Sequence, residues 1–218
     1  MPSFRKLTPM ALLAATANAA FGPYFSTGPT ASGVYIYSST ATITLPNSPS
    51  GAGSGYDLSL WVGMGTSLGD LVQSITDNFN NGWSVYAYTL KSTGPNSQEV
   101  IQGPSKAAKP GDVVRVEYQY VATDNYKQTV YLNGVAVSTL TTNDGKAQGW
   151  GSAVECAATN CGTVAAHKWT NVQIVLSAAD PNYVRTLGLA GGATGSMTTS
   201  DGGKTWNVGT ISIPQFTF

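Results

Sequence analysis

Soft metal ligands are nearly missing from this chain. Its 218 residues include one histidine and two cysteines, whereas a structural zinc site draws four such ligands from spaced pairs. No metal and no cofactor is therefore expected. Charge is scarce as well: 10% of residues are charged, with Lys and Arg together matching Asp and Glu. No basic run or patch can be read, which argues against nucleic acid as a partner. No apolar run reaches membrane-spanning length, so no membrane partner is expected either. The chain has no Asn-x-Ser/Thr acceptor for N-glycosylation. Helical periodicity beyond a few turns is missing, and so is any repeat of 20–50 residues. The one histidine, His167, stands in Ala165-Ala166-His167-Lys168 and is not read as the base of a serine hydrolase.

What the chain does have is 25 Gly and 11 Pro, with many Thr, Ser, Tyr and Val, the residues of strands and turns. Arg5 and Lys6 precede an apolar run from Met10 to Ala15, and Ala17-Asn18-Ala19 fits the small-x-small rule for signal cleavage. Residues 1–19 are read as a secretory signal and 20–218 as a single domain, long enough to bury a substantial core. Loss of Arg5 and Lys6 from 11 basic residues leaves nine against 11 acidic ones. A secreted, monomeric protein is expected. In an exported chain the closely spaced pair Cys156 and Cys161 is expected to form a disulfide. So short a loop contributes roughly 2 kcal/mol in the chain-entropy model, so the bond pins a local turn rather than the fold.

Strand patterns fill the remainder. Alternation marks Val34–Tyr37, Ala41–Leu45, Leu58–Gly65, Asp70–Asp77, Trp83–Tyr88 and Val113–Tyr120. Within the last run Val114, Val116, Tyr118 and Tyr120 share one face, and Arg115, Glu117 and Gln119 the other. Asn133-Gly134 between two apolar runs is a strong hairpin signal. Trp169–Leu176 reads as another strand, and Met197–Ile213 as a terminal hairpin around Asp201-Gly202-Gly203. Pro46–Gly55 and Lys91–Gly111 read as connections. About a dozen strands in one exported domain point to an all-β sandwich of two antiparallel sheets.

One stretch is chemically suggestive. Gln73 shares a strand face with Leu71 and Ile75, a polar residue in an apolar set. It follows a Trp61-Val62-Gly63 strand and precedes one carrying Trp83, Tyr86 and Tyr88. This order of features resembles the glutamic peptidases, or eqolisins. The resemblance continues through Pro110-Gly111-Asp112, the Asn133-Gly134 hairpin and Gln148-Gly149-Trp150-Gly151-Ser152-Ala153-Val154-Glu155, covering about residues 34 to 180. The chain departs from the family pattern at Met64 and Gly65-Thr66, and a disulfide turn follows Glu155. The resemblance implies a concanavalin-like (jelly-roll) sandwich of two curved sheets, with Gln73 and Glu155 as a catalytic dyad on one concave face.

In such a dyad the Glu carboxylate takes a proton from water and later returns it to the leaving nitrogen. The Gln amide donates to the tetrahedral oxyanion. Trp61, Trp83, Tyr86 and Tyr88 are candidate substrate-binding aromatics. The expected activity is thus an acid-acting glutamic endopeptidase with a polypeptide substrate. Aromatic residues on a concave sheet would equally suit a non-catalytic, lectin-like glycan binder. A polysaccharide hydrolase or lyase is a third reading. Its two carboxylates would come from Asp70, Asp77, Glu117 and Glu155, which are scattered in sequence and form no Glu-x-Asp-x-x-Glu run.

Overall fold

Alternating apolar residues on a chain with few helix-forming runs give strands almost throughout. The computed structural model describes residues 20–95, 97–157 and 160–218; the signal-peptide reading of residues 1–19 lies outside them. In chain order the strands are β1 (Ala20–Thr27), β2 (Ile36–Thr44), β3 (Asp57–Thr66), β4 (Leu71–Phe79), β5 (Gly82–Gly94), β6 (Ser97–Gln102), β7 (Lys106–Ala108), β8 (Val113–Ala122), β9 (Asn125–Leu132), β10 (Val135–Asn143), β11 (Ala147–Cys156), β12 (Thr163–Val164), β13 (His167–Leu176), β14 (Gly188–Ala190), β15 (Thr205–Ile213) and β16 (Phe216–Thr217). A 3-10 turn spans Tyr183–Thr186. No helix among the described residues is long and apolar enough to cross a membrane.

Two large antiparallel sheets form a sandwich. One runs β14-β1-β11-β3-β4-β5-β6, with β7 also paired to β5; the other runs β10-β9-β8-β2-β13-β15. The core between them is filled by the inward residues of each strand, among them Leu58, Leu60, Val62 and Met64 of β3 and Val114, Val116 and Tyr118 of β8. Several polar groups that enter this core are satisfied across it. The Tyr118 hydroxyl donates to Val62 O at 2.7 Å. Trp150 Nε1 donates to Ser39 Oγ at 3.1 Å. The fully buried Gln128 donates to Tyr88 O and Thr89 Oγ1 at 3.0 and 2.8 Å.

A buried charge cluster ties the ends of both sheets together. Lys91 on β5 pairs with Asp70 at 3.1 Å and Asp144 at 3.8 Å and donates to Asn143 O. Asp70 and Asp144 are 3% and 0% exposed. Asp70 also accepts from Ser92 N, and Asp144 from the Thr142 hydroxyl. Burial pushes the Asp144 carboxyl up to about 6, opposed by Thr142 and by the Lys91 charge.

The expected hairpin closes at Asn133-Gly134, both with positive φ, the geometry of a two-residue type I′ turn. The segment around Asp201 is a capped turn: its Oδ1 accepts from Thr199, Lys204 N and Thr205 N, and these bonds hold its carboxyl down at about 2. Only single bridges, such as Thr198 to Asn207, continue it toward Met197.

Two readings need correction, and one strand goes unread in the sequence. The two short strands expected over 34–45 are the single strand β2. The stretch read as a connection from Lys91 to Gly111 carries β6 and β7, whose sparse apolar residues suit a sheet margin with little to bury. Strand β1 has no clear alternation because Pro23 sits within a register break between Phe21 and Tyr24, the position where a strand tolerates proline.

Candidate active site

The cleft lies on the outward face of the β1–β11–β3–β4–β5–β6 sheet, and alternation decides which side chains reach it. On β3 these are Asp57, Ser59 and Trp61; on β4, Leu71, Gln73, Ile75 and Asp77; on β5, Tyr86, Tyr88 and Leu90. Phe21, Gln98, Val100, Glu155 and Ala157 complete the lining of a space of about 230 Å³. Its floor is a separate apolar cluster of Trp61, Leu71, Ile75 and Ala153, flanked by Phe21, Tyr24, Tyr86, Tyr88 and Leu90. Apolar residues on the outer face of a sheet are what the interleaved pattern of β3 and β4 requires, since both of their faces are covered.

Five of the six candidate residues therefore meet in one place: Gln73, Glu155, Trp61, Tyr86 and Tyr88. Trp83 does not. It lies in the core between the sheets, 2% exposed, with Nε1 donating to Pro46 O at 3.0 Å. Strand parity explains the correction, because Trp83 is an odd number of residues from Tyr86 and Tyr88 and points the other way.

Glu155 is held by Trp61, whose Nε1 donates to Glu155 Oε2 at 2.8 Å. Burial pushes its carboxyl up, the Trp61 bond pulls it down, and the nearby Asp57 charge adds to the rise. Gln73 is 4% exposed, and its Oε1 finds no donor among the described residues. An unmet buried acceptor is costly and marks a place where a bound molecule can supply a donor. Room for Gln73 is made by Gly63: a Cβ there would meet Gln73 Cβ at 2.9 Å and Val72 O at 3.0 Å. The Trp-Val-Gly order thus has a steric reason.

Cross-strand register sets how these groups relate. Gln73 pairs with Gly63, and Gly63 with Gly151, so the row through Gln73 passes over two glycines. Glu155 pairs with Ser59, and Ser59 with Asp77. Gln73 and Glu155 are thus four residues apart along β3 and two strands apart across it, about 13 Å by about 10 Å between backbones, with Trp61 and Ile75 between their rows. The residue that shares the row of Glu155 is Asp77.

Asp77 is one of two carboxylates at that end of the cleft, and Asp57 is the other, unmarked by the sequence reading. Ser59 Oγ donates to Asp77 Oδ1 at 3.0 Å. Burial and the adjacent Asp57 push the Asp77 carboxyl up to about 8, while bonds from Ser59 and Tyr86 oppose this. Burial and these carboxylates raise the Tyr86 and Tyr88 hydroxyls as well. The two tyrosine rings lie 6.0 Å apart. No cluster of His, Cys, Asp or Glu suited to a metal occurs among the described residues.

The disulfide forms between Cys156 and Cys161, with Cα atoms 5.8 Å apart. It follows Glu155 directly and packs on Asp57: Ala157 N donates to Asp57 O at 2.9 Å, and Cys161 Sγ lies 3.3 Å from the same oxygen. The other sequence candidates lie elsewhere. Asp70 is in the Lys91 cluster. Glu117 pairs with Arg115 and accepts from the Tyr131 hydroxyl on the opposite sheet. His167 is 7% exposed outside the cleft, with Nδ1 3.0 Å from Ala165 O, and burial lowers its pKa. Gly65-Thr66-Ser67-Leu68-Gly69 has the form of a nucleophile elbow, a strand–turn–helix device. Here it joins two antiparallel strands, and Ser67 Oγ accepts from Lys146 N at 3.0 Å, so it is a turn.

No family model matches the sequence, and no curated protein matches it. Solved structures do. One is a crystal structure of scytalido-glutamic peptidase with a transition-state analogue inhibitor, at 12% identity over 92% of this chain and 100% of that one, TM-score 0.57. Another is SCP-B, a member of the eqolisin family of peptidases, in complex with the tripeptide Ala-Ile-His, at 11% identity over 92% and 100% of the two chains, TM-score 0.56. At these identities the likeness is one of fold: this chain is a β-sandwich with the architecture of those peptidases.

Proposed function

We propose that the protein is a secreted endopeptidase of the glutamic type, in which Glu155 activates water and Gln73 binds the substrate chain. The observation that carries this reading is that Glu155, held by Trp61, and the unmet Gln73 acceptor open on one cleft with an apolar floor. Leu71, Ile75, Leu90 and Val100 suit apolar peptide side chains better than sugar hydroxyls, which need many polar partners. The disulfide supports export, and the shared architecture with peptidases is consistent with the activity.

The register modifies the dyad that the sequence suggests. A Gln and a Glu bridged by one water belong on the same row, and these two are four residues apart along the strands. Gln73 is therefore assigned to the substrate backbone, its Oε1 accepting an N–H some residues from the scissile bond.

The test is digestion of an unfolded polypeptide between pH 4 and 8, with products identified by mass. Internal cleavage is expected. An intact substrate across that range, with saturable binding to a glycan instead, would overturn the reading in favour of a lectin-like protein. Gln73→Ala should lower kcat/KM about tenfold through KM, the size of one hydrogen bond. A fall of 10²–10³ in kcat would instead return Gln73 to the oxyanion.

A further inference from the structure

In the dyad that the sequence suggests, Glu155 alone would take the proton from water and return it to the leaving nitrogen. The cross-strand row of Glu155 contains a second carboxyl group. Asp77 faces it across Ser59, two strands or about 10 Å away between backbones, which leaves room for a scissile bond and a water between the side chains. Resting on the peptidase reading, we infer that Asp77 is the general acid that works opposite Glu155, and that Asp57 is the positioning residue that keeps it protonated.

Three observations support the assignment. Asp57 Oδ1 is buried and finds no donor among the described residues, and the register of β3 on β4, with Asp57 opposite Phe79 and Ser59 opposite Asp77, makes Asp57 the diagonal neighbour of Asp77 on the same face. Two bare carboxylates so placed repel, and one proton on Asp77 satisfies both. The groups facing Asp77 are Asp57 and Ser59 from β3, Tyr86 and Tyr88 from β5 and Glu155 from β11. None is a base that carries positive charge, so nothing in the cleft favours the ionised form by ion pairing. Gln73, 96% buried with its acceptor unmet, lines the same cleft four residues along the strands from this row.

The chemistry balances. Glu155 takes one proton from water as the water oxygen bonds to the peptide carbonyl carbon. The C–N bond then breaks, its electron pair staying on nitrogen, which takes the Asp77 proton. Reformation of the carbonyl leaves a carboxylic acid and an amine. Glu155 then holds the proton taken from water and Asp77 is ionised, its proton now on the amine; loss of one proton to solvent and uptake of another reset both groups. The working range is bounded below by ionisation of Glu155, which burial raises, and above by loss of the Asp77 proton near pH 8.

A general acid is tested by making it unnecessary. Asp77→Asn and Glu155→Gln are compared on a peptide amide and on an aryl ester of the same acyl sequence, whose leaving group needs no proton. Asp77→Asn should slow the amide by 10²–10⁴ and the ester by less than tenfold, and should remove the alkaline fall in rate. Glu155→Gln should slow both substrates. Asp57→Asn should move the alkaline limb to lower pH while retaining activity below it. Infrared spectra at pH 7, taken in an Asp144→Asn background so that the other raised carboxyl does not contribute, should show a neutral carboxyl group that Asp77→Asn removes. Equal loss on both substrates in Asp77→Asn, or no neutral carboxyl group, would refute the general acid while leaving Glu155 as base. Failure of the wild type to cleave either substrate would overturn base and acid together, and cleavage of a glycan alone would overturn the substrate class.

Discussion

Glu155→Gln should cut peptide hydrolysis by 10²–10⁴, the range for removing a general base, without disturbing the fold. The substitution keeps an oxygen acceptor for Trp61 Nε1, which now donates to Glu155 at 2.8 Å, and it replaces a half-desolvated charge with a neutral amide. Melting temperature and tryptophan emission should therefore match the wild type while kcat collapses. The pH profile gives a second signature. Burial raises the Glu155 carboxyl, so wild-type activity should fall as pH drops through a value above the usual 4.5. The residual rate of the variant should lack this acid limb. Wild-type rates from Glu155→Gln would remove Glu155 from the mechanism, whatever the protein hydrolyses.

The second large effect is on stability. Lys91→Met leaves Asp70 and Asp144 buried without their shared cation. Breaking a buried pair from one side costs about 3–5 kcal/mol, or roughly 6–20 °C in melting temperature for a domain of this size. The sign with pH follows from Asp144. Its carboxyl is raised in the folded protein to about 6, so the folded state binds the extra proton and stability falls as pH rises through that range. Without Lys91 the carboxyl rises further. The variant should therefore lose more at pH 7 than at pH 5, as measured by urea unfolding at both. Adding Asp144→Asn should recover part of the loss at pH 7. A loss of under 1 kcal/mol at both pH values would show the cluster to be a surface pair.

The sequence announced the fold through alternation, which depends only on local side-chain type. Val114, Val116 and Tyr118 are buried, as their period-two pattern requires, and Asn133-Gly134 makes its turn from two residues that tolerate positive φ. The site was half legible. Gln73 stood out as a polar residue on an apolar face, and parity from Trp61 would have placed Asp57 and Ser59 in the cleft too. Likewise, Asp77 lies four residues after Gln73 and shares its face. What sequence could not supply is register. Whether Glu155 stands beside Gln73 or beside Asp77 depends on how β11, β3 and β4 slide past one another, and that is fixed by contacts between residues nearly a hundred positions apart. Trp83 shows the converse limit. Aromatic content alone marked it as a groove wall, although its parity with Tyr86 already pointed inward.

The short disulfide has a consequence beyond the roughly 2 kcal/mol that so small a loop contributes. Its two ends grip the backbones of Glu155 and Asp57, groups from different strands with opposite duties in the proposed chemistry. Loosening that clasp lets the proton acceptor and the group behind the proton donor drift independently, and catalysis is far more sensitive to such drift than folding is. The proposed activity and the fold should then have separate tolerances to reductant: turnover should fade under conditions where the melting temperature falls by only a few degrees. Because both sulfurs are buried, the fading should be slow and paced by local opening. Such a protein, returned to a reducing compartment, would fall silent long before it came apart.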